Sequence, residues 1–307
     1  MGPSPVTCRP LTLKAPAKIN WSLYVLDKRA DNYHNILSLM QCIGLYDELT
    51  FCPSEQLEVV TDMDIPAEQN LVFKAAQLLQ QKTPTKKGAR IVLKKEIPSG
   101  AGLGGGSSDA ACTLSGLSKL WDLGLDRSRL KAMGSTLGSD VPFFFDCPSA
   151  MAGGRGEILT PLDIVRPYTL LLVKPSISVS TAWAYGAREG AKRLLELTKT
   201  GDNVDNIKLI FEAINNSDLS ILKSLVHNDF EDTVIQRYPV IGALKEGLLE
   251  AGAALALMSG SGSTVFGLFK DRPAAVRAAG RFSGHWSRVV ETLTSAGTAK
   301  SAAGSKG

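Results

Sequence analysis

The segment Pro98–Ala111 constrains this chain more than any other, because it has five glycines within seven positions, followed by Ser107, Ser108 and Asp109. Glycine lacks a Cβ atom, so the backbone here can turn sharply and approach a ligand closely. The two serines and the aspartate are typical of a helix start, and the alanines after them favour a helix. A glycine loop that opens onto a helix N-terminus exposes unpaired N–H groups, which suit an anion. We therefore predict a phosphate-binding loop.

The two common phosphate loops do not account for this segment. A Walker A loop needs a lysine directly after the glycines, and none follows here. Gly100, Gly102 and Gly105 match a dinucleotide fingerprint by letter, but that fingerprint requires a second strand ending in an acidic residue about 20 positions on. The stretch 114–125 instead reads as a helix, and the strand 90–96 is too charged at its end to be buried on both faces. A flexible connector would not end in a capped apolar helix.

The composition is that of an ordinary globular chain, with 307 residues, 44% hydrophobic and 21% charged, enough for one large domain or two. The longest apolar runs are far shorter than a membrane span, and no secretory pattern is visible. Five scattered cysteines without C-x-x-C spacing predict reduced thiols and a cytoplasmic location. The net charge is +4, and residues 270–307 carry seven basic and two acidic side chains. We interpret that stretch as a solvated surface and expect no nucleic-acid partner.

Hydrophobic periodicity provides a coarse map of secondary structure. Strand patterns occur at 11–13, 19–26, 47–51, 90–97 and 170–173, and on both sides of a glycine turn within 255–269. Helix patterns occur at 70–82, 114–125, 128–137, 182–197, 207–214, 220–225, 239–251 and 272–282. Residues 35–43 are expected to form a short helix-like or bent segment. Because strands and helices alternate without a strict βαβ rhythm, we predict an α+β fold with two layers per domain.

Three motifs occur in order along the chain: Pro16–Asn20, the glycine loop with its serines at Pro98–Ser108, and the turn Ser259–Ser263. Together they resemble the GHMP kinases, small-molecule kinases named for galactose, homoserine, mevalonate and phosphomevalonate. The resemblance implies ATP as the phosphoryl donor, with Mg²⁺. It also implies a two-domain fold: a ribosomal-protein-S5-domain-2-like, ATP-binding and catalytic N-terminal domain at 1–165 and a ferredoxin-like C-terminal domain at 166–290. The small and polar composition of the last stretch predicts a disordered tail at 291–307.

Four segments carry a narrower resemblance: Ala15–Asn20, Arg29–His34, Leu137–Phe144 and Val179–Ala182. They are similar to those GHMP kinases that phosphorylate the 2-hydroxyl of 4-diphosphocytidyl-2-C-methyl-D-erythritol in the non-mevalonate route to isoprenoid precursors. We expect a monomer or weak homodimer that acts on this small molecule, with no membrane partner. Two alternatives stay open: another GHMP kinase of the mevalonate or homoserine type, and a catalytically silent sugar-nucleotide sensor on the same fold.

The resemblance implies a catalytic pair, Lys18 and Asp140. Lys18 lies among apolar residues of a strand pattern, where an ammonium group must be paired to be buried. The alternative for Lys18 is a solvated position on an edge strand. Asp140 would accept the proton of the alcohol while Lys18 stabilises negative charge. The alternative for Asp140 is a turn or helix-cap residue.

The remaining site residues are also implied by the resemblance. Tyr33 and His34 would hold cytosine by stacking and by hydrogen bonds to the base edge, and Tyr185 would cover the other face of the base. Asn32 stands where the family usually has glycine, but asparagine tolerates left-handed backbone geometry. The residues expected to contact the substrate are Asn20, Tyr33, His34, Thr181, Tyr185, Gly260 and Gly262. Those expected to contact ATP are Asn70, Pro98, Ser99, Gly100, Ala101, Gly102, Leu103, Gly104, Gly105, Gly106, Ser107 and Ser108, with Ser107 as a candidate Mg²⁺ ligand.

Overall fold

The computed structural model describes residues 10–63, 65–146, 148–192 and 200–295. Its strands, in chain order, are β1 (Leu11–Lys28), β2 (His34–Ser54), β3 (Leu57–Thr61), β4 (Gly88–Lys94), β5 (Ser149–Gly153), β6 (Ile158–Pro161), β7 (Thr169–Lys174), β8 (His227–Asn228), β9 (Leu255–Met258), β10 (Val265–Phe269) and β11 (Trp286–Glu291). Its helices are α1 (Leu71–Lys82), α2 (Gly105–Leu120), α3 (Arg127–Leu137), α4 (Thr181–Lys192), α5 (Thr200–Asn216), α6 (Leu219–Leu225), α7 (Glu231–Arg237), α8 (Pro239–Glu250) and α9 (Arg272–Ala279). The chain divides into two compact units, each built from separate stretches of sequence.

The first unit, residues 1–16, 45–97 and 105–145, packs helices against a small sheet. In that sheet β4 pairs antiparallel with the end of β2 and parallel with β3. Residues of β4 alternate between buried and exposed, so one face of the strand supplies the core. That core includes Phe51 of β2 and Leu114 of α2. The amphipathic pattern at 70–82 is confirmed, because α1 begins after Asn70, whose Oδ1 accepts the N–H of Val72 at 2.9 Å.

The second unit, residues 17–44, 98–104 and 146–307, contains parts of β1 and β2 and every element from β5 onward. Within it β2 pairs antiparallel with β5, β5 pairs antiparallel with β6, and β8 lies parallel to β1. A separate antiparallel sheet has the strand order β11-β7-β10-β9. Helix α8 packs on β9 and β10, and α9 packs on β7. Trp21 of β1 is fully buried, and its Nε1 donates to Gln41 Oε1 at 2.7 Å.

The prediction for residues 35–43 is wrong, because they belong to β2. Every side chain from Ile36 to Ile43 is buried, including polar Ser38 and Gln41. A strand buried on both faces loses its alternation of polar and apolar residues, and its apolar spacing then imitates a bent helix. Strands β3, β5, β6, β8 and β11 and helix α7 were not predicted, since they are short or carry charged residues.

The prediction of a disordered tail at 291–307 is wrong at its start. Glu291 belongs to β11, and Thr292 forms a bridge with Ile43. Residues 296–307 lie outside the described residues, as do 193–197 of the predicted helix 182–197. The division of the chain into 1–165 and 166–290 stays a prediction. Across the described ranges, no helix combines the length and the apolar character needed to cross a membrane.

Candidate active site

Lys18 is buried in β1 and heads a chain of polar contacts in the second unit. Its side chain is 4% exposed, and Nζ donates to Asn20 Oδ1 at 2.7 Å. Asn20 Nδ2 in turn donates to Ser38 Oγ at 2.8 Å, and that hydroxyl donates to the carbonyl of Ser22 at 2.6 Å. Burial of an ammonium group is costly unless the group is hydrogen-bonded, and Asn20 supplies that hydrogen bond to Lys18. The alternative of a solvated edge-strand lysine is therefore wrong.

The glycine loop contacts both β1 and the turn 259–263 through backbone atoms. The N–H of Lys18 donates to the carbonyl of Leu103 at 2.9 Å. The N–H of Thr264 donates to the carbonyl of Ala101 at 3.2 Å, and Ser259 Oγ donates to the carbonyl of Gly102 at 3.0 Å. The structure thus brings together the three motifs that are widely separated in the sequence.

Two glycines make this close approach possible. Gly102 has φ +74°, and a Cβ atom placed on it would lie only 2.0 Å from the carbonyl oxygen of Ser259. Gly260 has φ +56°, and its Cβ would lie 3.0 Å from the carbonyl oxygen of Gly102 and 3.4 Å from Lys18 Nζ. Side chains are excluded here by geometry as well as by the left-handed backbone.

In the first unit, the N-terminus of α2 presents backbone N–H groups that form no hydrogen bond within the helix, next to two buried side-chain atoms. Ser108 and Asp109 are buried, and Ser108 Oγ and Asp109 Oδ1 have no hydrogen-bond partner. Ser107 lies near the turn before Asp140, since a Cβ placed on Gly138 would be 3.8 Å from Ser107 Oγ. Buried polar atoms without a partner are uncommon in proteins, and a bound ligand, ion or water could satisfy these two. The donors and oxygens present fit an anion with its Mg²⁺.

A buried ion cluster flanks the same helix end. Lys95 Nζ donates to Asp109 Oδ2 at 2.7 Å and also contacts Asp47 Oδ2. Asp47 Oδ1 accepts the N–H groups of Glu96 at 2.7 Å and Ile97 at 2.9 Å. Burial raises the pKa of Asp109 to about 7, although the charge of Lys95 acts against the rise and that of Asp47 adds to it. The cluster therefore holds the backbone of Glu96 and Ile97, just before the glycine loop, and the first turn of α2, which contains Asp109.

Two other predicted site residues in the first unit, Asn70 and Asp140, lie at the starts of helices. Asn70 caps α1, and its contact with ATP stays a prediction. Asp140 precedes a short 3₁₀ helix, Val141–Phe145, and its carbonyl accepts the N–H of Phe143 at 3.2 Å. The pairing of Asp140 with Lys18 also stays a prediction. Around Asp140 the described residues contain no group of three histidine, cysteine or acidic side chains that could hold a metal by themselves.

The residues predicted to hold a base lie in the second unit. His34 and Tyr185 stack on each other, with ring centroids 5.1 Å apart and planes 15° apart. Tyr33 is 56% exposed, and the guanidinium of Arg155 lies 4.9 Å from its ring centroid. The turn before Tyr33 survives the glycine replacement, because Asn32 adopts φ 65°. Arg155 was not identified from the sequence, where it is simply one basic residue in the glycine-rich turn 153–157.

Thr181 contacts the turn 259–263, because its Oγ1 lies 2.9 Å from Ser261 Oγ. The third motif therefore meets both the glycine loop and the start of α4. Gly262 has φ +88°, and a Cβ placed on it would lie 2.7 Å from the sulfur of Met258. Like Gly260, it occupies a position where any side chain would be strained.

A second charged cluster in this unit was also missed. Asp229 accepts the N–H of Val25 at 2.6 Å, contacts Arg188, and lies 2.7 Å from His227 Nε2. Burial acts to raise the pKa of Asp229, but the hydrogen bonds from His227 and Val25 and the charge of Arg188 outweigh burial and lower it. Since these partners are far apart in the sequence, no local pattern could have identified the cluster.

Comparison with known proteins defines the class of protein that carries this site. The pattern described as "GHMP kinases N terminal domain" matches residues 70–154, and that described as "GHMP kinases C terminal" matches 210–288. Together with the α+β architecture, these matches define a GHMP kinase, as predicted.

Individual relatives narrow the assignment. The chain is 49% identical over 292 residues to the 4-diphosphocytidyl-2-C-methyl-D-erythritol kinase of Thermodesulfovibrio yellowstonii, covering 92% of this chain and 98% of that protein. It is 45% identical to the enzyme of the same name from Geobacter metallireducens, covering 88% and 92%. A crystal structure of 4-(cytidine 5'-diphospho)-2C-methyl-D-erythritol kinase superposes with a TM-score of 0.78 at 31% identity, covering 92% of this chain and 99% of that one. The chain belongs to the family of these kinases.

Proposed function

We propose that this protein transfers the γ-phosphoryl group of ATP to the 2-hydroxyl of 4-diphosphocytidyl-2-C-methyl-D-erythritol, giving the 2-phosphate and ADP in isoprenoid precursor synthesis. The observation that carries the proposal is the meeting of Lys18, the glycine loop and the Gly260 turn, in a chain 49% identical to a kinase of that name. Catalysis of this reaction depends mainly on positioning and on stabilising charge around the phosphoryl group.

The glycine loop and the start of α2 would hold the phosphates of ATP. Backbone N–H groups at the helix N-terminus suit these anions, and Ser107 and Ser108 offer hydroxyl oxygens. Mg²⁺, which keeps several waters and usually takes only one or two protein ligands with phosphate oxygens, would neutralise phosphate charge there. The unpartnered Ser108 Oγ supports this role.

Lys18 and Asp140 would act on the reacting groups. The ammonium of Lys18 is held by Asn20 and faces the backbone of Gly260, so it can stabilise negative charge on a phosphoryl oxygen. Asp140 would accept the proton of the alcohol as general base. Cytosine would stack on Tyr33, and Tyr185 would cover its other face once His34, which stacks on Tyr185 in this structure, turns to the base edge. This arrangement would select the nucleotide-linked alcohol. Base stacking of this kind contributes about 1–3 kcal/mol per base.

A substrate panel tests the proposal. ADP release is measured with 4-diphosphocytidyl-2-C-methyl-D-erythritol, mevalonate and homoserine, and ³¹P NMR identifies the position of the new phosphate ester. We expect turnover of the cytidylylated alcohol with phosphate on its 2-hydroxyl. Turnover of mevalonate or homoserine alone would contradict the substrate assignment. Binding of the cytidylylated alcohol without any turnover would instead favour the sensor alternative.

The proposal includes a monomer or weak homodimer in a reducing compartment, the cytoplasm. Cys42, Cys52 and Cys112 are free thiols, as expected where disulfides do not form. Light scattering across a range of protein concentrations measures the mass directly. A tight dimer that persists at nanomolar concentration would contradict this part of the proposal.

A further inference from the structure

A buried amide that no sequence motif indicated, Asn228, holds the turn 259–263. Its side chain is 3% exposed, and Nδ2 donates to the carbonyls of Met258 at 2.7 Å and Gly260 at 2.8 Å. Its Oδ1 accepts the N–H of Phe230 at 3.0 Å. An amide group is the side-chain group that can donate two hydrogen bonds from one atom and accept from the other while staying neutral. The residue type is therefore dictated by the contacts.

Asn228 also lies on a strand, β8, that pairs with β1, the strand that carries Lys18. In the parallel pairing of β8 with β1, Asn228 lies opposite Leu23, and the N–H of Asp229 donates to the carbonyl of Leu23 at 2.9 Å. Glu231, at the start of α7, also holds the end of β9, because its Oε1 accepts the N–H of Met258 at 2.7 Å. Asn228 thus connects β1 to the end of β9.

The turn that Asn228 holds lies against the ammonium of Lys18. Gly260, whose carbonyl accepts from Asn228, is the residue whose Cβ would lie 3.4 Å from Lys18 Nζ and 3.0 Å from the carbonyl oxygen of Gly102. Any shift of this carbonyl moves the backbone that borders both Lys18 and the glycine loop. Displacement of reacting groups by about 1 Å costs on the order of 100-fold in rate.

We propose that Asn228 is a positioning residue for phosphoryl transfer, because its amide fixes the Gly260 turn beside Lys18 and the glycine loop. The proposal rests on the kinase activity proposed above. Asn228 does not touch the substrate; it acts through the turn. Its loss is therefore expected to lower kcat while leaving the KM for ATP nearly unchanged.

The test replaces Asn228 with aspartate, which keeps the shape but turns the double donor into an oxygen facing two carbonyls. The matched control is Asn215→Asp, because Asn215 also bridges two backbone segments: Nδ2 donates to the carbonyl of Asp163 at 3.1 Å and Oδ1 accepts the N–H of Val165 at 3.1 Å. We expect kcat to fall about 10- to 100-fold in Asn228→Asp and less than about twofold in Asn215→Asp. Thermal unfolding of both variants shows whether stability alone explains the difference.

A kcat for folded Asn228→Asp within about threefold of the unaltered protein would overturn the proposal. If Asn228→Asp does not fold, Asn228→Ser, which keeps one donor and adds no charge, is judged by the same criterion. Hydrogen exchange provides a readout that does not need turnover: the amides of 259–264 should lose protection in Asn228→Asp and keep it in Asn215→Asp. Unchanged protection would also overturn the proposal. Lack of turnover by the unaltered protein would contradict only the proposed function.

Discussion

Replacement of Gly102 with alanine should disrupt the glycine loop far more than the added methyl group suggests. The backbone at Gly102 has φ +74°, and the new Cβ would lie 2.0 Å from the carbonyl oxygen of Ser259 and 3.0 Å from that of Gly262. Ordinary contacts begin at 3.4 Å, so the groups must separate by about 1.4 Å. The obstructing atoms are backbone, and no side-chain rotation can relieve the overlap.

Gly124→Ala is the matched control for this change. Gly124 also has a left-handed backbone, at φ +59°, but nothing lies within 4 Å of the position of its Cβ. It therefore carries only the conformational penalty, about 1–2 kcal/mol before any gain from a less flexible unfolded chain. In Gly102→Ala, overpacking should lower the free energy of unfolding by about a further 1–3 kcal/mol. The displaced loop should also lower kcat by roughly 100-fold.

Two measurements separate these effects. Urea unfolding determines the free energy of unfolding of each variant, and steady-state ADP release determines kcat at saturating substrates. The expected result is a kcat near that of the unaltered protein for Gly124→Ala and a large loss for Gly102→Ala. If the two alanine variants matched in both stability and kcat, the steric argument for the loop would be refuted.

Three further substitutions test other parts of the site. Asp140→Asn should abolish most turnover while calorimetry still detects binding of the cytidylylated alcohol, and full activity would end its assignment as general base. Asp229→Asn should lower stability at neutral pH, because the pKa of Asp229 is held below its ordinary value by partners such as His227. That contribution is present above about pH 4 and is lost as the pH falls through the lowered pKa, so thermal melts of the variant and the unaltered protein should converge in acid. Arg155→Met should raise the KM for the cytidylylated alcohol about two- to fivefold and leave the KM for ATP unchanged. The reason is that an exposed cation–π contact with Tyr33 contributes about 0.5–1 kcal/mol. An equal rise in both KM values would contradict this role of Arg155.

Much of this protein follows from local features of its sequence. Asn70 predicts the start of α1, and the glycines of Pro98–Ser108 predict a loop that approaches other groups closely, because caps and left-handed turns depend on residues next to one another. The residues 35–43 were misread for the opposite reason. Their burial depends on packing against segments that are distant in the sequence, such as Leu293, whose backbone hydrogen-bonds with Gln41 and Cys42, so periodicity alone misleads.

The glycine loop could be recognised from its sequence, whereas the residue that supports the turn beside it could not. Asn228 reads as an ordinary polar residue, and it becomes a buried double donor only when β8 pairs with β1 and brings it to Met258 and Gly260. In the same way, Arg155 meets Tyr33 only through the folding of a distant turn. The sequence by itself determined which backbone could form the loop and which side chains could do the chemistry. Only the tertiary structure decided which residues hold them in place, because such contacts join segments that no local pattern connects.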